Sequence, residues 1–204
     1  DAVAGAADLA RTKDGGTPIG VVITFDTQRS TTSGEKPAAP RRFVFLFDRS
    51  IRFNSGQFPT CDRTTLEQGR ACPEGSKVGS GKAEFYPAGT SAVAVYNTKY
   101  ANGLRGVLIT LPATGAILEN TFERVSRPYQ GDYTWGSDEI IPPDATPPQD
   151  RGVTKAFTVS FGAVHQGRSF AESHAPAGRN LKIGVWGQYV TGQTVLGEQL
   201  VRRP

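Results

Sequence analysis

Five acidic side chains share the stretch from Arg127 to Gly152 with three aromatic ones, and four of them, Asp132, Asp138, Glu139 and Asp144, stand nearest to Tyr129, Tyr133 and Trp135. Two chemistries use that combination. Two carboxyls flanking a groove can cleave a glycosidic bond, one as acid and the other as nucleophile or base, at separations of about 5 or about 6.5–9.5 Å. Aromatic faces among hydrogen-bonding acids also hold a carbohydrate without cutting it. Tyr129, Asp132, Tyr133, Trp135, Asp138 and Glu139 therefore form the candidate ligand surface, against the plainer reading of a loop that Trp135 packs onto a sheet. Calcium is a further use of clustered carboxylates, but the Asp-x-Asp-x-Asp spacing of a calcium loop is absent, so no metal is expected.

Nucleophilic catalysis finds less support. The two histidines are His165, at a strand end, and His174, in a loop beside Ser173. A hydrolytic triad needs a serine on a sharp turn with the imidazole in reach, and no Gly-x-Ser-x-Gly elbow occurs. No catalytic residue is assigned. The run GSKVGSGK (75–82) has the composition of a phosphate loop but not its spacing, and it leads into a strand pattern where such a loop must open a helix. No cofactor is expected.

The two cysteines, Cys61 and Cys72, have ten residues between them. Neither the four-ligand spacing of a zinc site nor the Cys-x-x-Cys of a redox pair is present. The chain has no methionine and opens DAVAGAADLA, which we read as a mature, exported protein whose signal peptide has been removed. An even pair in an oxidising compartment is expected to form a disulfide, worth about 3 kcal/mol for a loop of this length. Inside it, DRTTLEQG reads as a short helical turn capped by Asp62 or Thr64 and ended by Gly69.

The segment from Phe58 to Ala83, FPTCDRTTLEQGRACPEGSKVGSGKA, resembles one found in uncharacterised secreted proteins of actinobacteria, with the pattern FP-x-C … ACP-x-GS-x-VG-x-G-x-A in a β-rich ectodomain. The resemblance implies export and a β-rich fold and brings no catalytic residues. A further C-terminal cysteine pair of that pattern is missing here.

The elements that must position these residues are strands. Ile19 to Phe25 is β-branched, and in RRFVFLFDRSIRF the side chains of Phe43, Phe45 and Phe47 share one face while Val44 and Leu46 share the other, as in a strand covered on both sides. GKAEFYPA, SAVAVYNTKYA, RGVLITLPA, GAILENTFERV, VTKAFTVSFGAVHQ, NLKIGVWGQYVTG and QTVLGEQLVRR follow as further strands. The five prolines and four aspartates of residues 127–152 make that stretch the longest irregular one, with no regular element expected after Ile141. The expected fold is all-β, an antiparallel sandwich or partly open barrel of about eight or nine strands with one short disulfide-closed helical turn. Residues 1–17 are expected to be a flexible lead-in and 18–204 a single domain.

A net charge of +4 with scattered Lys and Arg gives no basic stripe for nucleic acid. No apolar run approaches the length of a membrane span. The expected role is a secreted or cell-surface, non-enzymatic binding, adhesion or structural subunit. A lead-in of this kind suits strand exchange with a second copy or a cell-surface partner. The alternative is an extracellular carbohydrate hydrolase using the acids of residues 132–150. A third reading, a carrier of small ligands or lipids, requires an enclosed apolar pocket.

Overall fold

A computed structural model describes the backbone of residues 2–11, and residues 18–141, 146–147 and 149–203. In chain order the elements are β1 (Ala2–Arg11), β2 (Ile19–Ser30), β3 (Pro40–Asp48), β4 (Ile51–Phe53), α1 (Arg63–Glu67), β5 (Lys77–Phe85), β6 (Thr90–Lys99), β7 (Arg105–Leu111), β8 (Ala116–Arg124), β9 (Tyr133–Ile140), β10 (Thr154–Phe161), β11 (Val164–His165), β12 (Arg168–Ser169), β13 (Ala171–Ser173), β14 (Asn180–Tyr189) and β15 (Thr194–Arg202). The all-β antiparallel class is as expected, but the strand count is not. Among the described residues, thirteen strands form one sheet in the order β15-β14-β3-β9-β8-β7-β6-β5-β10-β2-β13-β4, with β1 on β2, while β11 and β12 pair separately. The excess over eight or nine has three sources. Strands of two or three residues carry no readable period, β1 arises within the lead-in, and β9 runs through the acidic stretch expected to be irregular.

Alternation decides which side of each strand is core. On β2, Ile19, Val21, Ile23, Phe25, Thr27 and Arg29 are buried while Asp26, Gln28 and Ser30 are exposed. The sheet folds over so that strands remote in its order face each other. Phe25 of β2 meets Phe45 and Phe47 of β3 with ring centroids at 5.1 and 5.4 Å, and Phe161 of β10 meets Phe47 at 5.2 Å. The backbone of β1 lies beside both β2 and β15, so the two ends of the sheet approach one another as in a flattened barrel. Phe43, Phe45 and Phe47 do share the inner face, and Val44 and Leu46 the outer one beneath residues 124–129.

The cysteine segment closes as expected, with Cys61 and Cys72 bonded. Asp62, not Thr64, caps α1, its carboxylate accepting from the Thr65 amide at 2.7 Å. Glu67 instead pairs with Arg63. The glycines of GSKVGSGK have a structural reason. A Cβ at Gly79 or Gly81 would lie 1.9 or 1.8 Å from the carbonyl oxygens of Ser160 or Thr158, so only glycine lets β5 approach β10. Asn97 ties this segment to the sheet, donating to the carbonyls of Ser55, Phe58 and Pro59.

Candidate functional site

The six residues of the candidate ligand surface do not form one surface. Most lie on β9, a strand between β3 and β8 in the interior of the sheet. Neighbouring residues of a strand point to opposite faces, and so Asp138 and Glu139 part company. Asp138 faces outward and is held bidentately by Arg42, whose Nε donates to Oδ1 at 2.8 Å and whose Nη2 donates to Oδ2. That bond raises the affinity of the Arg42 guanidinium for its proton, and the same group lies over the Trp186 ring. Asp132 is exposed and paired with Lys182 Nζ at 2.8 Å. Tyr133 is fully buried and donates to Glu198 Oε1 at 2.6 Å; burial first, then that acceptor, pushes its phenol well above the ordinary range. Trp135 lies under the Arg124 guanidinium at 4.8 Å. Tyr129 joins Asp138, Arg42 and Trp186 around an outer hollow of about 250 Å³. Asp144 lies outside the described residues.

Glu139 points inward, and it is 4% exposed. Asn120 Nδ2 donates to its Oε2 at 3.2 Å, and Asn120 Oδ1 accepts from Ser137 at 3.2 Å, a short polar chain along the inner wall. Removal from water is the largest influence on this carboxyl, the Asn120 bond opposes it and the Asp138 charge adds to it, leaving it pushed up to about 7.

What Glu139 faces is a cavity of about 300 Å³ between the two halves of the sheet, at the end where β2 and β9 finish and β3 and β10 begin. Phe43, Phe85, Leu111, Leu118 and Phe157 supply apolar walls, and Phe45 and Val185 border it on the core side. Small residues, among them Ala39, Ala116 and Gly152, stand along its lining, where larger side chains would take up space. Arg29, on the last inward position of β2, also lines it. The spacing from Ile19 through Phe25 carries that signal, because the same alternation extended by four residues places Arg29 on the core face. Its polar neighbours in TQRS conceal it.

The opposite end is filled. Phe53 stacks on Phe122 at 4.5 Å, and Phe170 packs on Phe53 and Phe58 at 5.6 and 5.2 Å.

His165 packs against Phe58, and a Cβ on Gly75 (φ +80°) would strike its ring, so both serve the packed end. His174 faces Glu172 at 3.8 Å, while Ser173 is fully buried. Among the described residues, no group of three or more His, Cys, Asp or Glu side chains is placed to hold a metal ion. No helix among them is long and apolar enough to cross a membrane. No protein-family model, curated protein or solved structure matches this chain.

Proposed function

We propose that the protein is a secreted, non-enzymatic binding protein that carries a small, largely apolar molecule in the barrel-end cavity. The observation that carries this reading is the cavity itself, at about 300 Å³ at the small end of the range of ligand sites, with mainly apolar walls and a few polar groups that converge on it. A chain evolving only for stability gains by filling such a space, since wall atoms that face it lack packing partners. The Cys61–Cys72 disulfide supports export, because such bonds persist in oxidising compartments. The alternative role as a carbohydrate hydrolase loses support from β9, where one acid is bound to Arg42 outside and the next is buried inside.

The test is titration with aminoanthracene, a neutral fluorophore that brightens in apolar surroundings. Saturable one-to-one binding is expected, and Ala116→Phe, which places a ring in the cavity, should abolish it while the cooperative thermal transition persists. Binding unchanged in that variant, or no binding to the wild type, would sink the reading.

A further inference from the structure

Resting on that role for the cavity, we propose that its ligand is a monocarboxylic amphiphile, whose carboxylate pairs with Arg29 while its chain lies against Phe43, Phe85, Leu118 and Phe157. Three observations carry the choice. Arg29 lines the cavity and is only 4% exposed. Its Nη2 donates to the Ala38 carbonyl at 2.6 Å, but Nε and Nη1 have no hydrogen-bond partner among the described residues. A guanidinium stays charged in proteins, and a buried charge without a counter-ion is costly. Phe43 and Tyr189 present their rings to it at 5.7 and 4.8 Å, and the Tyr189 phenol oxygen acts on it as well, but neither side chain brings a negative charge.

The one acid among the described residues of the lining does not neutralise it. Glu139 bonds to Asn120 and forms no ion pair with Arg29. Burial keeps its carboxyl largely protonated below about pH 7, so the described residues of the lining carry one uncompensated positive charge there. One carboxylate supplies the single negative charge that this guanidinium lacks, whereas a phosphate head would bring a second negative charge with no second cation among the described residues of the lining. The volume suits a chain on the order of ten heavy atoms, taking about 30 Å³ for each water-sized unit.

The experiment displaces bound aminoanthracene with decanoic acid, decanol and methyl decanoate at about pH 6, where the fatty acid is mostly ionised and Glu139 mostly neutral. A charged hydrogen-bonded pair is worth about 1.5–3 kcal/mol. Decanoate should therefore displace the dye at roughly ten- to hundred-fold lower concentration than the two neutral analogues. Arg29→Gln should remove that preference while dye binding persists, and Arg29→Lys should keep part of it. Equal displacement by acid, alcohol and ester overturns the assignment of Arg29 but leaves the cavity as a binding site. Failure of the dye to bind at all overturns both. The ligand series needs no variant, so a misfolded Arg29→Gln protein does not spare the proposal.

Discussion

Phe157 and Phe161 stand four residues apart on the inner face of β10, yet they belong to different materials. Phe161 is fully buried, with the rings of Phe47, Phe45 and Phe25 at 5.2, 5.5 and 5.9 Å. Phe157 is only half-buried and borders the cavity. The two ends share one sheet, and they differ in the size of the residues that border the interior. Phenylalanines from β2, β3, β4, β8 and β10 interdigitate at one end, while Ala39, Ala116 and Gly152 leave room at the other. The difference teaches that a single period-2 pattern can build a core and a container in one barrel. Residue volume alone selects between them.

The largest effect that can break this contrast is on stability. Phe161→Ala should cost about 4 kcal/mol, because it opens a cavity among rings that cannot collapse into it. Phe157→Ala should cost about 1 kcal/mol, because its side chain already borders empty space on one side and loses fewer contacts. Denaturant unfolding of both variants measures the gap. Equal costs would mean that the cavity end closes up in solution.

A second contrast runs across β9 rather than along the barrel. Asp138 is paired with Arg42 on the outer face, whereas Glu139 has only a neutral amide partner inside. The folded state raises Glu139 to about 7, above its ordinary 4.5, so between those values the native protein holds a proton that the unfolded chain has released. Stability from this group is therefore full below about pH 4.5 and falls as pH rises, levelling only above about 7. Between pH 5 and 7 the loss amounts to about 2 kcal/mol. Glu139→Gln keeps the shape and removes the titration, so unfolding free energies of the two proteins should diverge by that amount over the window, with the variant favoured at the higher pH. Parallel curves would show that water reaches Glu139 freely.

How far the sequence reveals these contrasts depends on where each residue's partner comes from. The inner face of β3 is legible because Phe43, Phe45 and Phe47 declare it locally, and the helical turn is legible because Asp62 and Gly69 sit at its two ends. β9 is not legible: Gly136, Ser137, Asp138 and Glu139 have no apolar period. Their burial is stabilised by Arg42 and Asn120, which reach them only through the ladders to β3 and β8. β4, β11, β12 and β13 are too short for any period to emerge. The cavity is harder still to foresee, since it consists of what small side chains omit, at positions brought together from across the sheet. Arg29 was the one accessible clue: a charge in register with Ile19, Val21, Ile23 and Phe25.

The smallest expected effect sharpens the same point from the outer surface. Asp132 is the most exposed of the described members of the acidic cluster, and its partner Lys182 also reaches Glu198 at 3.2 Å. An exposed ion pair contributes about 0.2–1 kcal/mol, and Lys182 keeps a second acceptor when the first is removed. Asp132→Ala should therefore change unfolding free energy by less than about 0.5 kcal/mol and leave aminoanthracene binding unaltered, because this carboxylate does not line the cavity. Titrating a soluble oligosaccharide against both proteins separates the two candidate surfaces. A sugar that binds the wild type and is lost with Asp132→Ala would move the functional site from the barrel's interior to its outer face.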